Sequence, residues 1–152
     1  MKKLYFGADH GGFPAKQKQL DVDWGEEWEV IDCGAYELDP GDDYPDFVVK
    51  MVEELRKDWA AGVESRGVIF CTTGTGVAIA ANKFSEVRAG NCFSEEHARL
   101  AVEHNHINVL CVPAKFIAEE NVEKIIEVFL NAKEDRDERH RRRIAKVMKI
   151  DN

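Results

Sequence analysis

Gly67-Val68-Ile69-Phe70-Cys71-Thr72-Thr73-Gly74-Thr75-Gly76 is the stretch from which the fold is read. Its first four residues form an apolar, β-rich run that predicts a strand, and a helical pattern follows from Thr75 to Phe84. A strand that hands over to a helix through a glycine turn is half of a βαβ unit. The same alternation extends outward in both directions. Strands are predicted at Lys3 to Ala8, Glu29 to Cys33, Gly67 to Phe70, Arg88 to Cys92 and Asn108 to Val112. Helices are predicted at Phe13 to Val22, Pro45 to Ala60, Thr75 to Phe84, Glu95 to Glu103 and Ile117 to Asn131. The expected fold is therefore α/β: a single-domain three-layer α/β/α sandwich over residues 1–152, on a five-stranded parallel sheet of order 2-1-3-4-5. The charge-dense run from Lys133 to Arg143 leads into Ile144, Val147, Met148 and Ile150. Acids first and bases later suit the helix dipole, so a C-terminal helix packed by its apolar stripe is expected.

Composition narrows the function. A chain of 152 residues has the size of one domain and can bury roughly two-thirds of its unfolded surface. The net charge of -8 argues against a general nucleic-acid binder, which needs a basic footprint. A local cluster of arginines can still hold one anionic metabolite. The four cysteines, Cys33, Cys71, Cys92 and Cys111, form no CxxC pair and read as free thiols in a reducing compartment. No run of about 18 apolar residues occurs, so no membrane partner is expected and the localisation reads as cytoplasmic.

In an open parallel sheet, ligands bind beyond the carboxyl ends of neighbouring strands whose crossovers leave in opposite directions. With the order 2-1-3-4-5 that crevice lies between strands 1 and 3, which deliver Asp9-His10-Gly11-Gly12 and Cys71-Thr72-Thr73-Gly74-Thr75-Gly76. Gly74-Thr75-Gly76 is either a plain tight turn or a set of free amides for an anion or oxyanion. It lacks the third glycine of a dinucleotide loop, since Ile79 stands there, and the Lys-Ser or Lys-Thr of a P-loop. Cys71 is either a buried structural residue or a thiol whose pKa is lowered by a helix N-terminus, able to take a proton α to a carbonyl. Asp9 caps the next helix or partners His10, which would donate to an anion. His104-Asn105-His106 has metal-like spacing but no third ligand at a supporting distance, so no metal and no cofactor are expected. Arg139 and Arg143 share a helical face and form either a solvated surface or a fork for a phosphate.

Taken together, the chain resembles the ribose-5-phosphate isomerase type B family, which includes the galactose-6-phosphate isomerase subunits and allose-6-phosphate isomerases. The pieces that carry the resemblance are Gly7-Ala8-Asp9-His10-Gly11-Gly12-Phe13, Asp43-Tyr44-Pro45-Asp46, Cys71 to Gly76 running to Ile79-Ala80-Ala81-Asn82-Lys83, His104-Asn105 with Asn108-Val109, and Arg139-His140 with Arg143. The resemblance implies Cys71 as the base that moves a proton between C1 and C2, assisted by Thr73, with the enediolate held at the amides of Gly74 and Gly76. It implies that His104, near Asp9, opens the furanose ring, that His10, Arg139 and Arg143 hold the phosphate, and that Tyr44 and Asn105 line the pocket. It also implies a site between two subunits, hence a homodimer or a dimer of dimers. The implied reaction is ribose 5-phosphate to ribulose 5-phosphate through a cis-enediolate. A hexose-6-phosphate isomerase and a non-catalytic phosphosugar-binding protein are the alternatives. Departures from the family pattern are Val77 where one branch has a Glu base, Thr72 for a common Gly, Lys115 for Arg, and Asp137-Glu138 where small residues are usual.

Overall fold

The computed structural model describes residues 1–151. Its elements run β1 (Lys2–Ala8), α1 (Phe13–Leu20), β2 (Trp28–Asp32), α2 (Tyr44–Ala60), β3 (Ser65–Cys71), α3 (Thr75–Ala81), β4 (Ala89–Asn91), α4 (Glu95–Asn105), β5 (Val109–Pro113), a 3-10 turn (Ala114–Phe116), α5 (Glu119–Asn131) and α6 (Glu138–Val147). Every expected element is present, and no end is displaced by more than three residues. No helix among the described residues is long and apolar enough to cross a membrane.

All strand pairs are parallel. The alternation along β3 builds two cores. Val68 and Phe70 face one side with Leu4, Phe6, Ala98, Val102, Ile125 and Phe129, while Ile69 and Cys71 face the other with Tyr5, Val48, Met51, Leu55 and Val77. Successive strand residues point to opposite faces, so one apolar run fills both layers. Helices α1, α4 and α5 cover the first core and α2 and α3 the second.

The strand order corrects the expectation. It is β2-β1-β3-β5-β4, not 2-1-3-4-5. The physical reason is burial: Val109–Pro113 is buried at every residue and suits an interior position, whereas Ala89–Asn91 is three residues long and only partly buried. Short, partly polar strands belong at a sheet edge. The crevice between β1 and β3 survives the correction, because α1 leaves β1 toward the first core and α3 leaves β3 toward the second.

Candidate active site

Sheet register decides what meets at that crevice. Ala8 pairs with Phe70 in the β1–β3 ladder, so the next residues, Asp9 and Cys71, stand abreast on the same face. The Cys71 thiol donates to Asp9 Oδ2 at 3.2 Å, and Asp9 Oδ1 accepts from the Gly12 amide at 3.0 Å. Asp9 is thus both the cap of the loop and the partner of the thiol. The approach is possible because residue 12 is glycine: a Cβ there would lie 2.1 Å from the Phe70 carbonyl carbon and 2.6 Å from the Cys71 nitrogen.

Cys71 is only 7% exposed, and its pKa is raised, not lowered as the helix terminus alone predicts. Burial is the main cause, followed by the Asp9 carboxylate, while the amides of Gly74 and Thr72 oppose them. The resting sulfur is a thiol with an acceptor for its proton already in place. Among the described residues no side-chain hydrogen bond reaches the other cysteines, and burial pushes Cys33 up to about 11 and Cys92 up to about 12.

Around the sulfur, Gly74 opens α3 at φ +74° and the exposed Thr73 accepts the Thr75 amide at 3.4 Å. Asn91 of β4 donates to the Thr73 carbonyl at 3.1 Å and so holds this turn. The Tyr44 ring lies against Gly76, where a Cβ would come within 2.7 Å of Cζ. The corrected strand order puts the end of β5 beside β3, and the exposed Lys115 donates its amide to the Thr72 carbonyl at 3.0 Å. Val77 is fully buried and takes no part in the cleft.

His10 follows Asp9 and bonds Asp42, through its amide at 3.1 Å and its Nδ1 at 2.7 Å. Asp42 was not among the residues singled out from sequence, because it lies in the stretch Asp39-Pro40-Gly41-Asp42-Asp43, whose composition reads as a solvated loop. The ligand atoms of Asp9, His10 and Asp42 lie within 4.8 Å of one another. His10 and Asp42 engage each other and Asp9 engages Gly12 and Cys71, so each of the three has a partner within the protein.

The remaining candidates form a second group. His104 of α4 stacks on His140 of α6, with centroids 4.4 Å apart and planes 9° from parallel. Within one chain it makes no hydrogen bond or ion pair with Asp9. His106 points elsewhere and donates from Nε2 to the Asp135 carbonyl at 2.9 Å, which separates the two rings of the HxH pattern. Asn105 and Arg143 line a groove of about 690 Å³ together with Lys83, Arg88, His97 and Val147. Cys71, Asp9 and His10 do not line it. Arg139 Nε is 3.5 Å from Asp137, Arg142 pairs with Glu138 at 2.7 Å, and Arg143 has no acidic partner among the described residues. Asp137 accepts the Arg139 amide at 3.0 Å as the N-cap of α6, which gives that acid a structural role. The structure therefore unites Cys71, Asp9, His10, Thr73, Gly74, Gly76 and Tyr44 at one end of the sheet, and collects His104, Asn105 and Arg143 with Arg139 around α4 and α6.

The sequence profile of the ribose/galactose isomerase family matches residues 4–147. The chain belongs to this family. Among relatives of this isomerase family, a probable ribose-5-phosphate isomerase B of Mycoplasma pneumoniae is 34% identical over 95% of this chain and 92% of its own. The crystal structure of a ribose 5-phosphate isomerase from Thermotoga maritima matches with a TM-score of 0.86 at 35% identity, covering 96% of this chain and 97% of that one. Ribose-5-phosphate isomerase B from Mycoplasma genitalium, solved with bound ribulose-5-phosphate, matches with a TM-score of 0.85 at 33% identity over 97% and 95%.

Proposed function

We propose that the protein interconverts ribose 5-phosphate and ribulose 5-phosphate, with Cys71 as the base. The observation that carries this reading is the thiol–carboxylate pair at the switch-point crevice of a ribose/galactose isomerase fold. Loss of the Cys71 proton to Asp9 Oδ2 leaves a thiolate. That thiolate takes the proton from C2 of the open-chain aldose as the electron pair moves onto the C1 carbonyl oxygen; the proton of the C2 hydroxyl passes to O1, and the proton on sulfur returns to C1 as the C2 carbonyl forms. The amides of Gly74 and Gly76 hold the oxyanion, Thr73 aids proton movement at the sugar oxygens, and Tyr44 walls the cleft. His104 opens the ring, Asn105 lines the pocket, and His10, Arg139 and Arg143 take the phosphate.

The two groups are completed by a second copy of the chain, the cleft of one subunit facing His104, Asn105 and the arginines of the other. The separation of the groups within one chain supports this assembly, as does the exposure of Ile79, Phe116 and Val147. Hybrid dimers test it. Cys71→Ala and His104→Ala chains, each inactive alone, are expected on mixing to recover about a quarter of the wild-type rate, since half the dimers are mixed and each carries one intact site. A mixture that stays inactive while forming mixed dimers places all catalytic groups in one chain.

The reaction itself is checked by coupled assays on pentose and hexose phosphates in deuterated water. Turnover of ribose 5-phosphate with solvent deuterium at C2 is the expected result. Turnover of a hexose 6-phosphate alone reassigns the substrate, and binding without exchange identifies a non-catalytic phosphosugar-binding protein.

A further inference from the structure

Asp42 is not used by the isomerisation scheme, yet its setting is unusual. It lies in the loop before α2, its amide turned to the Asp39 carbonyl, but only 9% of its side chain is exposed. Its Oδ1 accepts from two donors of one residue, the His10 amide at 3.1 Å and the His10 ring Nδ1 at 2.7 Å. Its Oδ2 is buried with no hydrogen-bond partner. A carboxylate offers only acceptors, so the short ring contact requires a proton on Nδ1. The amide bond fixes the backbone from which the ring hangs, and the ring bond fixes its rotation. Nε2 has no partner among the described residues, and the side chain is 41% exposed.

This arrangement constrains what His10 can do. With the proton of the neutral ring held at Nδ1, Nε2 carries a lone pair and repels a phosphate oxygen. Only the imidazolium presents Nε2–H as a donor. We propose that Asp42 is the positioning residue that fixes the His10 ring with Nδ1 turned inward and Nε2 presented as a donor to the substrate phosphate, an inference that rests on the phosphate role given to His10 above.

The charges around the ring favour its cationic form. The Asp42 hydrogen bond is the largest cause that raises the His10 pKa, and the carboxylates of Asp9 on the β1 loop and of Asp42 and Asp39 on the α2 loop act in the same direction. A raised pKa gives His10 a larger cationic fraction than a free imidazole has at the same pH. The grip is full below that pKa and is lost as pH rises through it.

The experiment is an NMR titration of the imidazole nitrogens joined to binding and kinetics of Asp42→Asn. In the ligand-free wild-type protein, the neutral ring must carry its proton on Nδ1; a proton on Nε2 overturns the proposal without any variant. In Asp42→Asn the His10 midpoint should fall, and the KM for ribose 5-phosphate at a pH between the two midpoints should rise severalfold, with kcat changed less than about twofold. The alkaline limb of kcat/KM should move to lower pH by the same amount. In a His10→Gln background, Asp42→Asn should leave KM within about twofold, because a residue acting only through His10 has nothing left to position. Additive losses in the double variant, or an unmoved midpoint, overturn the proposal. A midpoint that falls while affinity for inorganic phosphate and for ribose 5-phosphate stays constant overturns it differently, by removing His10 from the phosphate while leaving the Asp42–His10 pair intact.

Discussion

Cys71→Ala is expected to lower kcat by roughly 10²- to 10⁴-fold, the contribution of a positioned base, with little change in KM. In the proposed scheme the sulfur is the group that reaches the substrate carbon, and removing it leaves the Asp9–Gly12 hydrogen bond untouched. Circular dichroism should therefore match the wild type, and steady-state rates with a coupled assay read the effect. Retention of more than about a tenth of the turnover would remove the thiol from the role of base. The pH profile carries a second signature. The Cys71 pKa lies above the ordinary thiol range through burial and through Asp9, so the thiolate fraction, and with it kcat, should climb as pH rises toward that value. Asp9→Asn removes the carboxylate that holds the thiol up. Its rising limb should shift to lower pH, while its plateau falls because the acceptor of the thiol proton is gone.

Gly12→Ala is expected to destabilise the fold by roughly 4 kcal/mol, at the upper end of what single substitutions cost. A Cβ at residue 12 would lie 2.1 Å from the carbonyl carbon and 2.2 Å from the carbonyl oxygen of Phe70, and 2.6 Å from the Cys71 nitrogen. These are main-chain atoms of a central strand and cannot rotate away. The melting temperature should drop by about 10 °C, and activity should fall with it, since relief of the overlap lifts the Asp9 loop off Cys71. Gly41→Ala is the control, because a Cβ there meets only the Asp39 carboxylate at 3.4 Å. Thermal melts of the two variants that coincide would show that the β1 loop yields without cost.

The sequence carried the βα alternation and the two loops of the crevice because both depend on local pattern: apolar runs of strand length, and glycines after them. Strand neighbours are not a local property, and the β5-β4 reversal was missed for that reason. A comparison of Val109-Leu110-Cys111-Val112-Pro113 with Ala89-Gly90-Asn91 held the signal, since only the first is apolar throughout. Helical spacing placed Arg139 and Arg143 on one face, yet it contains nothing about how α6 docks, and so the stacking of His140 on His104 was not foreseen. Of the two readings open for Cys71, the lowered thiol pKa rests on a helix terminus that is visible in sequence. Burial at the end of β3 and a carboxylate from another strand, both tertiary effects, outweigh it.

The register that sets Asp9 beside Cys71 divides the molecule by stiffness. The Asp9–Cys71 pair inherits its spacing from a hydrogen-bonded ladder in the middle of the sheet, where a shift of one atom would have to drag whole strands. Arg139 and Arg143 ride instead on a ten-residue helix whose single buried side chain is His140. With the proposed roles, room for a longer or shorter sugar is made by reshaping the C-terminal arm, while the donor–acceptor distance at the sulfur stays under the control of the backbone lattice.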